Sequence, residues 1–476
     1  MDTQKSRGEQ IQETLGYNPQ NAWCKVSDKE KESIFDFCGP YVRFLNEYKT
    51  EREATEWAEA EAKKNGFIPL DEAYKSKKKL NPGDRVYATN RGKNILLAVI
   101  GSEPMEKGLR MVGAHVDAPR IDLKPNPLYE AGGLALLKTH YYGGIKKYQW
   151  TTIPLAIHGV IFKSNGDKVE LKIGEREGEP KFCISDLLPH LAQEQMKKTM
   201  SQGITGEGLN VLFGNVPYKE ERLKKKIKTN ILTLLNDLYG LHEEDFLRAE
   251  LEIVPAFAAS DVGLDRSMIG GYGQDDRVCA YTSFQAILET KKPGKTAVCV
   301  LVDKEEIGSM GNTGMQSAFL ENTVAKLCKL TADDYTDITL RDALYYSKFL
   351  SADVTAVFDP TYEEMSDKRN ATYLGMGVAV MKYGGSHGKS GSSDANAEFV
   401  AEITNLFNTH GVAWQSGEMG YVDLGGGGTI AMFLAKYGMD VVDVGPGFLS
   451  MHAPFEVASK IDVYMAYKGY KTFYNQ

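Results

Sequence analysis

The spacing of hydrophobic positions divides the chain into stretches of different character. Up to about residue 80, apolar residues recur among charged ones, as in "KESIFDFCGPYVRFLNEYKTEREATEWAEAEAKKNG", which predicts helices with a solvated face. Three apolar runs follow, "DRVYATN", "NILLAVIG" and "LRMVGAHVD", and each predicts a strand. We therefore predict that the first part of the chain forms helices followed by strands of a sheet.

The pattern changes between about residues 122 and 262. This stretch contains "GGLALLKTHYYGGIKKYQWTTIPLAIHGVIF" and "DKVELKIGE", which are rich in strand-forming residues and punctuated by turns. A charged, helix-like tract follows, "YKEERLKKKIKTNILTLLNDLYG". The composition favours a smaller β-rich unit.

After about residue 264, buried strands and helices alternate again. The segments "TAVCVLV", "LSADVTAVF" and "MDVVDVG" predict strands, and "DRVCAYTSFQAILE" predicts a helix. Nearly continuous apolar strands separated by helices are typical of a mostly parallel sheet covered on both faces. We therefore predict an α/β fold whose main domain, residues 1–121 and 263–476, is interrupted by a β-rich insertion, residues 122–262.

Length and charge narrow the class of protein. A chain of 476 residues is too long for one ordinary core, so more than one domain is expected. The 56 Lys and Arg against 64 Asp and Glu give a net charge of -8 without a large basic block, which argues against a nucleic-acid partner.

The sequence also bears on location. The N-terminal segment is polar and no run approaches about 18 apolar residues, so neither a secretory signal nor a membrane span is expected. The six cysteines are scattered without a CxxC pair, which favours a reduced, cytoplasmic setting.

Polar side chains gather at the ends of the predicted strands, where ligands bind in sheets of this kind. All are residue types that bind divalent metals. They are His115 and Asp117 after "LRMVGA", Asp275 and Asp276 before the helix, Asp303, Glu305 and Glu306 after "AVCVLV", Asp353, and His452 after "VVDVGPGFLSM".

Each of these short patterns has a structural explanation when taken singly. A pair of aspartates before a helix is most often an N-terminal cap, and paired glutamates after a strand are most often a solvated loop. Their joint occurrence at the strand ends of one α/β domain favours a shared metal site instead.

The motifs "VGAHVDAP", "GQDDRV", "VDKEEIGS", "SADVTAVFDPTY" and "SMHAPFE", in this order, resemble the aspartyl aminopeptidase family of co-catalytic zinc metallopeptidases. The resemblance runs from about residue 80 to 475, and the "DDR" element is similar to the related tetrahedral and glutamyl aminopeptidases. It implies a zinc-peptidase-type catalytic domain, an insertion that serves oligomerisation, and assembly into a tetrahedral dodecamer.

The family pattern also implies a set of metal ligands. His115 and Asp353 would bind one divalent ion, and Glu306 and His452 a second, with Asp275 bridging both. Zinc is expected, although ligands of these types also accept cobalt or manganese.

Further roles follow from the same resemblance. Glu305 would be the general base, and Asp117 would orient the imidazole of His115. For the donor that stabilises the oxyanion, His190 in "DLLPHL" matches a family element that reaches a neighbouring subunit's site, and His158 in "LAIH" is the alternative.

Two glycine-containing segments are weaker candidates for the substrate pocket. Lys389 lies where the family carries basic and polar residues near the substrate's first side chain. Gly427 and Thr429, in "GGGGTIA", suit close approach of backbone to a substrate. The family's usual Lys-x-Arg-Tyr is replaced here by "KSGSSD", which leaves the preferred N-terminal residue open.

The expected function is a cytoplasmic metalloaminopeptidase that removes the N-terminal residue of peptides. An amidohydrolase that deacylates N-acyl amino acids is the alternative among enzymes. A non-catalytic oligomeric scaffold of the same fold is the alternative outside them, although the intact set of ligands and Glu305 argues for catalysis.

Overall fold

The computed structural model describes residues 5–17 and 19–476. Residues 1–4 and Asn18 belong to the stretch predicted to be helical and lie outside the described residues. The first elements are α1 (Arg7–Leu15), α2 (Asp28–Glu47), α3 (Glu51–Lys64), β1 (Ile68–Pro69), α4 (Leu70–Lys75), β2 (Arg85–Asn90), β3 (Asn94–Val99) and β4 (Arg110–His115).

The middle of the chain is dominated by strands. In chain order its elements are β5 (Arg120–Ala131), β6 (Leu134–Tyr142), β7 (Leu155–Phe162), β8 (Lys168–Ile173), β9 (Cys183–Ile184), α5 (Gln193–Met196), α6 (Met200–Gly203), β10 (Val211–Gly214), α7 (Lys226–Tyr239) and β11 (Ala249–Pro255). The predicted charged helix is thus shorter than its tract. It begins at Lys226, just before the buried residues Ile227, Ile231 and Leu235, which are spaced one turn apart.

Strands and helices alternate again in the last part. The elements are β12 (Ser260–Val262), β13 (Met268–Gly271), α8 (Gln274–Glu289), β14 (Ala297–Val302), α9 (Phe319–Thr331), α10 (Asp337–Tyr345), β15 (Lys348–Ser351), β16 (Thr355–Ala356), β17 (Val378–Met381), α11 (Ala397–Thr409), β18 (Trp414–Ser416), α12 (Ala431–Ala435), β19 (Asp440–Gly445), β20 (Gly447–Leu449), β21 (Glu456–Ser459) and α13 (Lys460–Tyr474).

Within the described residues the strands form three sheets. The first has nine strands in the order β1-β2-β3-β14-β4-β15-β19-β17-β18, the second has seven in the order β8-β7-β11-β5-β6-β10-β9, and the third has five in the order β12-β13-β21-β20-β16. In the first sheet β14, β4, β15 and β19 are parallel neighbours. Strand β3 pairs antiparallel with both β2 and β14, and β17 pairs antiparallel with β19 but parallel with β18.

The first sheet is buried on both faces, as its continuous apolar strands predict. In β14, Ala297, Cys299 and Leu301 belong to one hydrophobic core, and Val298 and Val300 between them belong to another. Successive side chains of a strand point to opposite faces, so two separate cores lie on the two sides of the sheet. Helices α2, α8 and α13 contribute to one core and α9 to the other.

The second sheet is antiparallel and has a core of its own, which includes Leu128, Trp150 and Ile253. The predicted α/β class, with a mostly parallel main sheet, is confirmed.

The division of the chain at residues 122 and 262 into two domains stays a prediction. No helix among the described residues is long and apolar enough to cross a membrane.

Candidate active site

The predicted side chains meet at one edge of the first sheet. His115 is the last residue of β4, Asp353 follows β15 by two residues, and Glu305 and Glu306 follow β14 in a short 3-10 helix. Because β14, β4 and β15 are parallel neighbours, their carboxyl ends lie at the same edge. Asp275 at the start of α8 and His452 after β20 complete the group.

Asp275 lies between the two histidines. One of its carboxylate oxygens is 3.3 Å from Nε2 of His115, and the other is 3.2 Å from Nε2 of His452. Its backbone is not helical although it stands in the first turn of α8, and its peptide bond to Asp276 is cis. The carboxylate therefore faces two imidazoles at once.

Asp117 fixes the ring of His115. Nδ1 of His115 is 2.9 Å from the carbonyl oxygen of Asp117 and 3.2 Å from its carboxylate. A carbonyl can only accept a hydrogen bond, so Nδ1 carries a proton and donates it, and Nε2 is the ring nitrogen that faces Asp275. The hydroxyl of Tyr142 donates to Asp117 at 2.8 Å.

His452 is oriented in the same way. Its Nδ1 lies 2.9 Å from the carbonyl oxygen of Gly144, so Nε2 is again the nitrogen that faces Asp275. The buried carboxylate of Glu456 accepts the backbone N–H of His452 at 2.8 Å and the N–H of Asp275 at 3.2 Å. Glu456 thereby ties the segment of His452 to the start of α8.

A sharp turn separates the two glutamates from their strand. Lys304 adopts a left-handed conformation with φ 70°, and its ammonium group pairs with the buried Asp303 at 2.8 Å. The N–H groups of Glu305 and Glu306 both donate to Asp117, at 3.1 and 3.2 Å. This turn brings one carboxylate of the pair to each histidine, with Glu305 4.0 Å from Nε2 of His115 and Glu306 3.6 Å from Nε2 of His452.

Asp276 is a further carboxylate of the cluster. Ligand atoms of His115, Asp276 and Asp353 lie within 4.8 Å of one another, as do those of His115, Asp275 and Glu306. One oxygen of Asp276 accepts the N–H of His115 at 3.3 Å, and the other is buried without a hydrogen-bond partner. The sequence placed Asp276 among the residues of metal-binding type, but the family pattern gave it no role in the ligand set.

The electrostatics reflect crowded carboxylates. Burial raises the pKa of Glu305 to about 7, and burial together with Asp275 raises the pKa of Glu306 well above its ordinary value. Burial lowers the pKa of His452, but Asp275 and Glu306 outweigh it and raise that pKa to about 10. The carboxylates around His452 therefore favour a positive charge beside them.

The donor set fits divalent metal ions. Each Nε2 faces one oxygen of the same carboxylate, and two such electron-rich atoms come this close only with a proton or a metal ion between them. An oxygen of Glu306 is also buried without a hydrogen-bond partner. Buried carboxylates without partners are costly, and metal coordination would satisfy them.

The cluster opens into a cavity of about 650 Å³. Gly427, Thr429 and Lys389 line it together with Asp275, Glu305, Glu306, Asp353 and His452. Its apolar wall consists of Met381, Met419, Met432, Met451, Phe433, Val354 and Val422.

Two polar side chains in the wall, those of Lys389 and Thr429, have partners within the chain. The ammonium group of Lys389 is 3.2 Å from Asp394 and 3.9 Å from the centre of the Tyr383 ring. Thr429 donates to Asp443 at 2.7 Å, and burial raises the pKa of Asp443 to about 6.

The two candidate oxyanion histidines lie away from this cavity within the chain. His158 is fully buried in β7, and its ring nitrogens are 3.0 Å from Glu53 and 2.8 Å from Glu175. His190 is exposed on a turn after β9. The ring of His158 is thus occupied by its neighbours, whereas His190 is free to meet another molecule.

Tyr142, Gly144 and Glu456 contribute to the geometry and were not identified from the sequence as functional. Tyr142 and Gly144 come from the second sheet and its connection, far along the chain from the residues they contact. For Glu456 the nearest signal is its place in "SMHAPFE", four residues after His452.

Comparison with known proteins identifies the family. Residues 44–474 match the family described as aminopeptidase I zinc metalloprotease (M18). A probable M18 family aminopeptidase 1 from Clostridium acetobutylicum is 52% identical over 455 residues, which cover 96% of this chain and 98% of the relative.

Solved structures of aminopeptidases have the same fold as this chain. The crystal structure of an M18 family aminopeptidase from Thermotoga maritima superposes with a TM-score of 0.92 at 43% identity, covering 96% of this chain and 99% of that one. The mApe1 dodecamer of S. cerevisiae has a TM-score of 0.74 at 19% identity, over 94% and 97% of the two chains, and shares the fold. The chain therefore belongs to the M18 family of aminopeptidase I zinc metalloproteases.

Proposed function

We propose that this aminopeptidase works with two divalent metal ions, zinc by preference and cobalt or manganese as substitutes, on either side of Asp275. The observation that carries the proposal is the position of that carboxylate, with one oxygen 3.3 Å and the other 3.2 Å from Nε2 of a different histidine. His115 and Asp353 would hold one ion, and Glu306 and His452 the other.

In this proposal Glu305 acts as the general base. Two such ions, when bound, activate a water molecule and polarise the scissile carbonyl. Glu305 takes the proton of the attacking water and delivers it to the leaving amine. Burial raises the pKa of its carboxyl group to about 7, which suits a group that must both accept and release a proton near neutral pH.

Metal counting tests the two-ion proposal. After chelation, dialysis against zinc and removal of the excess, we expect emission spectrometry to find two zinc ions per chain. Glu306→Ala should retain fewer, because it removes a proposed ligand that no other carboxylate replaces. Glu177→Ala, at an exposed site in the turn after β8, is the matched control and should retain two. A wild-type value of one, or an unchanged value in Glu306→Ala, would require a different ligand set.

We propose that the pocket accepts apolar N-terminal side chains rather than acidic ones. Four methionines and a phenylalanine form much of its wall, and the ammonium group of Lys389 is held by Asp394. A substrate carboxylate would be buried without a free cation, at a cost of several kcal/mol in a site of this kind. Lys389, Gly427 and Thr429 would then shape the pocket through packing and backbone position.

A substrate panel measures this preference. We expect kcat/KM for leucyl and methionyl arylamides to exceed that for aspartyl and glutamyl arylamides by about 100-fold, since an unpaired buried charge costs more than a lost apolar contact. N-acetylated leucyl and methionyl arylamides are the control and should not be cleaved, which also separates an aminopeptidase from a deacylase. Equal turnover of acidic and apolar substrates contradicts the proposed pocket.

We further propose that the enzyme is a homo-oligomer, a tetrahedral dodecamer, in which His190 of one subunit enters the site of another. Leu187, Leu188 and Leu191 flank His190 in the sequence and are 52%, 51% and 68% exposed. Large apolar side chains left exposed in one short segment are typical of a surface that a partner covers. The dodecamer known for the yeast mApe1 supports the assembly by analogy.

The insertion and the cellular location complete the proposal. Residues 122–262 would form the oligomerisation domain, and the separate core of the second sheet supports an independent unit.

We propose the cytoplasm as the location because all six cysteines are free thiols, four of them buried.

A further inference from the structure

One short segment of the second sheet contacts several parts of the proposed metal site. Tyr142 ends β6, and Gly143 and Gly144 follow it. The hydroxyl of Tyr142 donates to Asp117 at 2.8 Å, and the carbonyl of Gly144 is 2.9 Å from Nδ1 of His452. The segment therefore reaches both histidines of the site, one through Asp117 and one directly.

Asp117 gathers contacts that a rotation of its carboxylate would break. One of its oxygens accepts the N–H of Glu305 and lies 3.2 Å from Nδ1 of His115, and the other accepts the N–H of Glu306. The hydroxyl of Tyr142 donates to the same oxygen that accepts the N–H of Glu306. Tyr142 thus holds a carboxylate on which a histidine and both glutamates depend.

The ring of Tyr142 is itself fixed by a buried cation. The guanidinium group of Arg120 lies 3.8 Å from the centre of the ring. Arg120 is held in turn by Asp122 at 2.8 Å, by Glu252 at 3.2 Å and by Glu51 at 3.7 Å. A cation stacked on an aromatic face and anchored by carboxylates leaves the phenol little freedom to turn.

The two glycines let the backbone pass close to the site. Gly143 has φ 72°, and a Cβ placed there would lie 3.3 Å from the side chain of Glu306 and 3.4 Å from Pro119. A Cβ at Gly144 would lie 3.4 Å from Nδ1 of His452. Close packing on both sides keeps the Gly144 carbonyl on its histidine.

We propose that Tyr142, Gly143 and Gly144 are positioning residues through which the second sheet sets the metal affinity of the site. This rests on the proposed two-metal function. Partners of metal-bound histidines fix the tautomer and the direction of the ring, and their loss weakens metal binding by about 10- to 100-fold. The second sheet would thus act on the metal centre directly, besides any role in assembly.

The test compares zinc affinity in matched variants, measured by competition with a chromophoric chelator. We expect Tyr142→Phe to raise the zinc dissociation constant by about 10- to 100-fold, because the ring keeps its stacking on Arg120 while the hydrogen bond to Asp117 is lost. Tyr141→Phe makes the same change in the neighbouring residue, which is 42% exposed, and should bind zinc as the wild type does.

A second pair of variants tests the glycines. Gly143→Ala should weaken zinc binding, whereas Gly132→Ala, at φ 57° in the turn between β5 and β6, should not, because a Cβ there meets no atom within 4 Å. Both alanines carry the penalty of a left-handed backbone, so a difference between them reports the contact with Glu306.

The outcomes separate this inference from the function on which it rests. If the wild type fails to bind two zinc ions, the two-metal proposal itself fails. If the wild type binds two and Tyr142→Phe and Gly143→Ala bind zinc as tightly as their controls, the positioning role is overturned. It is also overturned if Tyr142→Phe lowers the unfolding temperature of the metal-free protein below that of Tyr141→Phe, since the defect would then be one of folding.

Discussion

Replacement of Glu305 by glutamine is expected to lower kcat by about 1,000-fold, within the range attributed to a general base, with little change in KM. Glutamine has the same shape but cannot accept the proton of the attacking water. The N–H of residue 305 would still donate to Asp117, so the turn after β14 should keep its geometry. Steady-state kinetics on a leucyl arylamide measure the loss.

Metal content distinguishes loss of the base from loss of the site. Glu305→Gln should carry the same zinc per chain as the wild type, because Glu305 is not among the proposed ligands. Glu177→Gln, an exposed glutamate, serves as the control for the chemical change. Retention of more than a tenth of wild-type kcat in fully loaded Glu305→Gln would assign the proton transfer to another group.

Replacement of His190 by alanine is expected to lower kcat by about 100-fold, the effect of removing one donor to a developing oxyanion. The donor acts on charge that appears in the transition state, so KM should change little. Assembly and zinc content should equal those of the wild type, and size-exclusion chromatography and emission spectrometry check both. His158→Gln is not a suitable control, because His158 is buried between Glu53 and Glu175. His140→Ala is a suitable control, because His140 is an exposed histidine of β6 in the second sheet.

Mixing two inactive proteins tests whether His190 acts across an interface. Subunits of His190→Ala and Glu305→Gln, dissociated and reassembled together, should regain part of the activity, since some sites would combine an intact Glu305 with an intact His190 of a neighbour. Donation within one chain gives no rescue, because every chain then carries a defect. Mixed oligomers without any regained activity would refute the shared site.

The sequence predicted those parts of the site that depend on local pattern. His115 ends an apolar strand, and Glu305, Glu306 and Asp353 follow such strands within four residues. Parallel strands bring these positions to one edge of the sheet. The α/β class followed from the same runs. These features depend on the period of the apolar residues and on the rule that ligands bind at carboxyl ends of strands.

Contacts between distant segments could not be predicted in the same way. In the sequence, Tyr142 is one aromatic residue of a predicted strand. Nothing in the residues around it indicates that its side chain contacts Asp117, 25 positions earlier. Asp276 fits a helix cap equally well, and only the packing of α8 against β4 places its carboxylate beside His115. The antiparallel pairing of β3 with β14 and of β17 with β19 likewise depends on strand direction, which apolar content does not specify.

We expect the methionines in the cavity wall to make the proposed apolar selectivity sensitive to oxidants. Met381, Met419, Met432 and Met451 line the same space, and each thioether can be converted to a sulfoxide. That change would turn a pliable apolar surface into a polar one while leaving the carboxylates and imidazoles of the site chemically intact. An oxidised enzyme would thus hydrolyse bulky apolar termini less well without losing its metals, and sulfoxide reductases would restore it.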